Sequence, residues 1–305
     1  ICGSPGSPPI TAPRIKLRDG RHLAYKEHGV PKETAKYKII SVHGFASTRH
    51  TLAVVASRMA EELGVYFVSF DKPGYGESDP HPKRTLKSIA LDEEELADQL
   101  QLGSKFYVIG VSMGGQVVWD ALSTYLTEFF IVSFYYQAKK PTTSNFHRTS
   151  GLYGVAHFIP WLTYWWNTQK WFPPSSVIAQ KAKFSRQDLQ LISKFRESQN
   201  SRENVTQQGE FESFHREMMI VFGNWEFDHM NLKNPFLDGE GSVHLWNGDE
   251  DGFVPVTLQR YIAERLPWIH YHEVPGAGHL FPFADGMSDA ILKALLLGEK
   301  SLWQR

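Results

Sequence analysis

Short apolar runs alternate with stretches of helical periodicity along most of the chain. Arg14-Ile-Lys-Leu and His22-Leu-Ala-Tyr-Lys flank Asp19-Gly20, a dipeptide that favours a tight turn, and so predict an antiparallel hairpin. Lys38–Val42 and Val65–Phe70 are unbroken apolar and β-branched runs, the pattern of strands buried on both faces. Between them Leu52–Leu63 repeats apolar residues at helical spacing and ends at Gly64. Leu86–Leu102 predicts a charged amphipathic helix closed by Gly103, and Phe106–Val111 predicts the next strand. Phe129–Tyr136 is apolar enough for a sixth strand. From about Phe146 to Asn234 the alternation breaks into a helix-rich stretch, with Ser185–Arg196 its clearest amphipathic piece. Val243–Asn247 and Ile269–Val274 then read as strands and Met287–Leu297 as a final helix. Strands alternating with helices predict an α/β protein whose mostly parallel sheet carries helices on both faces. The expected organisation is an extended Gly/Pro/Ser-rich lead-in at 1–13, a core at 14–145 and 236–305, and an insertion at 146–235. There is no internal repeat or long low-complexity tract.

Chemistry concentrates where these strands end. Val108-Ile-Gly-Val-Ser-Met-Gly-Gly-Gln116 places Ser112 in a G-x-S-x-G pentapeptide after an apolar run. A serine hydroxyl is a poor nucleophile unless a sharp turn presents it and a base takes its proton. Val243–Asn247 runs into Gly248-Asp249-Glu250-Asp251-Gly252, and Ile269–Val274 runs into Pro275-Gly276-Ala277-Gly278-His279. Each strand thus delivers an ionisable group just past its carboxyl end, the edge where open α/β sheets build their sites. His279, flanked by small residues, is the candidate base. Asp251 is the leading candidate to orient it, with Asp249 and Glu250 as rivals. Lys38–Val42 leads into His43-Gly44-Phe45. Gly44 lets the backbone turn so that the Phe45 amide becomes one oxyanion donor, the Met113 amide being the other. His43 is expected to hold that loop through backbone hydrogen bonds rather than to move protons. Asp71, in Asp71-Lys-Pro-Gly-Tyr-Gly-Glu-Ser78, is expected to tie down its own loop through backbone amides. His43, Gly44 and Tyr75 are candidates for lining the substrate pocket.

Composition narrows the partners. The chain has 305 residues and a formal net charge of −1, with 32 basic and 33 acidic residues intermixed, so no Lys/Arg stripe argues for nucleic acid. The single cysteine, Cys2, forms no internal disulfide, which favours a cytosol-facing compartment. No apolar stretch approaches the roughly 20 residues needed to span a bilayer. His81, His215, His229, His270 and His272 lack metal-ligand spacing joined to acid partners, so no metal is expected. Phe158, Trp161, Tyr164, Trp165, Trp166, Trp171 and Phe172 form a dense aromatic cluster with three readings open. It packs on the sheet's upper edge, it builds an apolar chamber lined by Trp165 and Trp166, or it leans on a membrane.

His43-Gly44-Phe45, the Asp71–Ser78 loop, Gly110-Val-Ser112-Met-Gly114 and Asp251 with Gly278-His279 together resemble the α/β-hydrolase-fold superfamily. More narrowly, Arg14–Val30, Trp161–Val177, Met218–Pro235 and Ser242–Gly298 are similar to an uncharacterised plant branch of it, whereas about Leu122–Leu152 does not follow the family. The resemblance implies the α/β-hydrolase fold, with the 146–235 insertion as a helical cap over the site. It also implies a serine hydrolase of carboxylesterase or lipase type, acting without a cofactor on an ester of an apolar small molecule through an acyl-enzyme on Ser112. A serine at this turn argues against epoxide hydrolysis and dehalogenation, which in this fold use a carboxylate there. The fold also hosts small-molecule receptors, and a lyase or acyltransferase can use the same three groups. The chain opens at Ile1, and similar proteins often carry a hydrophobic N-terminal anchor before such a linker, which implies a membrane tether. Nothing in the sequence sets the oligomeric state or the physiological substrate.

Overall fold

The computed structural model describes residues 2–51, 58–124, 131–133, 146–175, 177–178, 184–195, 202–223, 225, 228–236 and 241–304. Among the described residues eight strands form one sheet: β1 (Arg14–Lys16), β2 (His22–Gly29), β3 (Tyr37–Val42), β4 (Val65–Phe70), β5 (Tyr107–Gly110), β6 (Ile131–Ser133), β7 (Val243–Gly248) and β8 (Ile269–Val274). Their spatial order is β1-β2-β4-β3-β5-β6-β7-β8. The β1–β2 and β2–β4 pairs are antiparallel, and all pairs from β4 through β8 are parallel. The expected hairpin forms with Arg14 opposite Ala24, and Gly20 turns it at φ 91°.

Neighbouring residues of each buried strand serve opposite faces, which is why these strands read as continuous apolar runs rather than as alternations. Ile40, Val42, Val68, Phe70 and Val108 join a core cluster completed by helices α2 (Leu86–Gln99), α3 (Gly114–Thr124) and α9 (Val256–Arg265). Ile39, Phe67, Ile109 and Trp246 join the cluster on the other face, with Ala60 of α1 (Arg58–Glu62) and Ile291, Leu292 and Leu295 of α10 (Met287–Leu297). α2 starts in a reciprocal capping box between Thr85 and Ser88. It stops at Gln99, earlier than the expected Leu102, because Gln101 adopts a left-handed φ of 54° before Gly103.

The expected Leu52–Leu63 helix is present as α1, and 52–57 lie outside the described residues. Within the expected sixth strand, Ile131–Ser133 pairs with β5 on one side and β7 on the other, the remaining positions lying outside the described residues. Among the described residues five α-helices fall between β6 and β7: α4 (Phe146–Phe158), α5 (Leu162–Thr168), α6 (Arg186–Phe195), α7 (Arg202–Val205) and α8 (Arg216–Val221), the last continuing a π-helical turn at Phe211–His215. This insert is fastened to the sheet's loops through buried polar groups. Lys72 and Tyr75, both fully buried, bind the carboxylate of Glu217 on α8, and Arg84 donates to the Ser213 carbonyl at 3.2 Å. The N-terminal lead-in is also held: the Thr11 and Ala12 amides donate to Glu77, and the Cys2 amide donates to Gln208. Among the described residues no helix is long and apolar enough to cross a membrane.

Candidate active site

β5 ends at Gly110, and two residues later Ser112 sits at φ 53°, a left-handed conformation that side chains with a Cβ rarely adopt. The strain is imposed from both sides. α3 begins at Gly114, where a Cβ would lie 2.2 Å from the Val42 carbonyl oxygen, so only glycine lets the helix start so close to β3. The chain must therefore reverse within the three residues between strand and helix, and Ser112 occupies the apex.

The loops after β7 and β8 meet this serine. His279 Nε2 lies 3.0 Å from Ser112 Oγ, and His279 Nδ1 lies 2.8 Å from Asp251 Oδ2. Asp251 Oδ1 accepts the amides of Phe253 and Val254 at 2.8 and 2.9 Å, which fixes the carboxylate from behind. The rivals point elsewhere. Asp249 accepts the Gly276 amide at 2.7 Å and ties the two loops together, whereas Glu250 is exposed. Burial pulls the His279 imidazole toward its neutral form. The Asp251 charge and hydrogen bond, with a further push from the Asp188 charge, reverse this and hold its pKa above the ordinary value. The Phe253 ring packs against the imidazole, its centroid 4.8 Å away.

The loop after β3 reaches the same point. At Gly44 a Cβ would lie 3.2 Å from Ser112 Cβ and 3.8 Å from Oγ, so this backbone passes directly beside the hydroxyl. His43 holds the loop as expected: its Nε2 accepts the Lys72 amide at 3.1 Å, which leaves the proton on Nδ1 for donation to the Gly44 carbonyl at 2.8 Å. Full burial, followed by the nearby Lys72 charge, depresses its pKa well below the usual value and keeps it neutral. Asp71 is fully buried, accepts the Arg49 and Glu77 amides and pairs with the Arg49 guanidinium, so it secures its own loop.

Two pocket expectations need correction. Tyr75 has no exposed surface and its hydroxyl is spent on Glu217, so it is packed and lines no accessible cavity. Trp165 faces outward, 44% exposed, with its ring edge-on to Trp171. Trp166, its neighbour, turns inward and packs with Phe45 against a cluster of Met113, Leu152, Ala156, Met218, Val221 and Phe222. The apolar cluster that holds Met113, next to Ser112, is thus built with residues of α4, α5 and α8.

One residue that pattern reading missed bears on the imidazole. Asp188, in the first turn of α6 and fully buried, accepts the backbone amides of His279 at 3.1 Å and Leu280 at 2.7 Å. Gln187 accepts the amide of Gly278 at 3.0 Å, so three successive amides of the histidine loop are gripped by one helix start. A Cβ at Gly278 would lie 2.1 Å from Asp188 Oδ2, which explains a glycine just before the histidine. The sequence carries half of this signal: Ser185-Arg-Gln-Asp188 is a capping box, and Ser185 and Asp188 do cap each other reciprocally. Nothing local says that the same carboxylate also holds a loop 91 residues further on.

Among the described residues no group of three or more His, Cys, Asp or Glu is placed to hold a metal ion. A model of the alpha/beta hydrolase family matches residues 39–294. An alpha/beta hydrolase fold protein from Chitinophaga pinensis is similar at 16% identity and a TM-score of 0.64, over 93% of this chain and 97% of that one. A thermophilic esterase from Thermogutta terrifontis is similar at 20% identity and a TM-score of 0.57, again over 93% and 97%. A bromoperoxidase from Bacillus anthracis is similar at 17% identity and a TM-score of 0.60, over 92% and 98%. Among curated proteins none matches.

Proposed function

Because the chain belongs to the alpha/beta hydrolase family, we propose that it is a serine esterase that cleaves an ester of an apolar small molecule through an acyl-enzyme on Ser112. The observation that carries this reading is the unbroken line from Ser112 Oγ through His279 to Asp251, with separations of 3.0 and 2.8 Å. Ser112 Oγ attacks the ester carbonyl carbon while His279 Nε2 takes its proton. The carbonyl oxygen becomes an oxyanion and accepts the amides of Phe45 and Met113, each worth about 10²–10³ in rate. Asp251 keeps the Nδ1 tautomer and stabilises the imidazolium. His279 then gives the proton to the leaving alkoxide, the carbon–oxygen bond breaks, and water repeats the sequence on the acyl-enzyme with His279 again as base. The chemistry needs no cofactor.

Support for an apolar acyl or alcohol group comes from Phe45 and Trp166, half-buried rings that pack on the cluster holding Met113, the residue after the serine. Such rings offer a bulky apolar group burial that a charged one would lose. A panel of chromogenic esters of graded acyl length tests the reading. Turnover that rises with acyl length and disappears in Ser112→Ala is expected. Ester binding without turnover in the intact protein would make it a receptor instead.

A further inference from the structure

The aromatic residues of the insert divide into two sets. Trp166 packs inward, but Phe158, Trp161 and Trp171 are 78%, 73% and 80% exposed, with Trp165 and Phe172 also turned to solvent. Five large rings within fifteen residues exceed what a chain in water leaves uncovered without a use for them. They are also held out deliberately. The Gln169 side chain accepts the amides of Trp171 and Phe172 at 2.5 and 2.8 Å and donates to the carbonyls of Trp166 and Phe172 at 2.9 and 2.7 Å. Asn167, buried beneath, donates to the Thr163 carbonyl and accepts the Ser175 amide, both at 2.8 Å. The turn that presents Trp171 and Phe172 is therefore a built one.

Charge indicates what meets it. From Phe129 to Gln187 there is no Asp or Glu, although 33 acids in 305 residues would place about six in a stretch of that length. The same stretch holds seven Lys or Arg, and Lys170, directly before Trp171, is exposed among the rings in sequence. Exposed tryptophans with a lysine and no acid in the same run of sequence match the interface of a negatively charged lipid bilayer, where indole rings settle at headgroup level.

We propose that the face formed by Phe158, Trp161, Trp165, Trp171 and Phe172 docks on the surface of an anionic phospholipid bilayer. The rings insert at headgroup depth and Lys170, between Trp165 and Trp171 in sequence, pairs with lipid phosphates or carboxylates. α5 then has one side on the membrane and the other, through Trp166, on the apolar cluster that holds Met113. The docking itself rests on no catalytic assignment.

The full chain is mixed with phosphatidylcholine vesicles, with and without phosphatidylserine, and bound protein is read by flotation and by the tryptophan emission shift. Binding to the phosphatidylserine vesicles is expected, with a blue shift and release by salt as screening sets in. The triple variant Trp161→Ser, Trp171→Ser, Phe172→Ser should bind at least about tenfold more weakly with an unchanged melting curve, and Trp171→Phe should retain most binding. Failure of the intact chain to bind, or equal binding by the triple variant, overturns the proposal. Equal binding to neutral vesicles overturns its anionic commitment. A concentration-dependent dimer that the triple variant abolishes, without vesicle binding, assigns the face to a second copy.

Discussion

The loops at the carboxyl ends of the strands and the insert above them contribute to the same small volume in different ways. Each strand-end loop places candidate groups of the proposed reaction a few residues beyond its strand: Gly44 and Phe45 after β3, Ser112 after β5, Asp251 after β7 and His279 after β8. The insert supplies none of the three linked groups. It supplies Asp188, which grips the backbone of the histidine loop, and Glu217, which takes the ammonium of Lys72 and the hydroxyl of Tyr75. On the proposed reading the contrast separates two jobs: the loops would carry the chemistry and the insert would set its alignment. Changes in the loops should abolish the reaction, and changes in the insert should grade it or weaken the fold.

The largest expected effect breaks the comparison at its base. Ser112→Ala should lower kcat by about 10⁴ or more while leaving the melting curve intact, measured by single-turnover ester cleavage. Asp251→Asn, which permits the wrong imidazole tautomer, should cost about 10³–10⁴. Asp249→Asn should cost only a few-fold, since that side chain ties loop to loop and does not reach His279. If both aspartates mattered equally, the assignment of the orienting acid would fall.

Next comes the fastening of the insert. Lys72→Met leaves Glu217 buried without its cation and should destabilise the protein by about 3 kcal/mol in urea unfolding, with Lys72→Met/Glu217→Leu recovering most of the loss. A smaller but sharper effect is expected at Asp188. Asp188→Asn should lower kcat by about 10- to 100-fold with KM little changed, because it loosens the amides that hold the imidazole in line. The reaction needs neutral His279 as base, so kcat/KM should rise with pH through the imidazole pKa, which stands above its ordinary value. Asp188 contributes to that elevation through its charge, so Asp188→Asn should move the acid limb to lower pH. A residue that only propped up the fold would lower the melting temperature and leave the limb in place.

This division also explains what pattern reading reached. Strand runs such as Val65–Phe70 and the glycine spacing around Ser112 are local rules, set by burial on two faces and by the approach of α3 to β3. Asp251 could be ranked above Asp249 by position but separated from it only by seeing where each carboxylate lies. Tyr75 and Trp165 were beyond reach because an aromatic ring at a loop or helix carries no local mark of the side it faces. Asp188 was beyond reach for a related reason. A capping box announces where a helix begins, and the loop its carboxylate also holds is fixed only when the insert closes on the sheet.

The central claim is that the Ser112 hydroxyl is made nucleophilic by His279. Treatment of the intact chain with a fluorophosphonate, followed by peptide mass spectrometry, tests it most directly. One adduct per chain on Ser112, lost in Ser112→Ala and slowed by orders of magnitude in His279→Ala, is the predicted result. An unlabelled Ser112 in a folded protein, or labelling at an undiminished rate without His279, would contradict it.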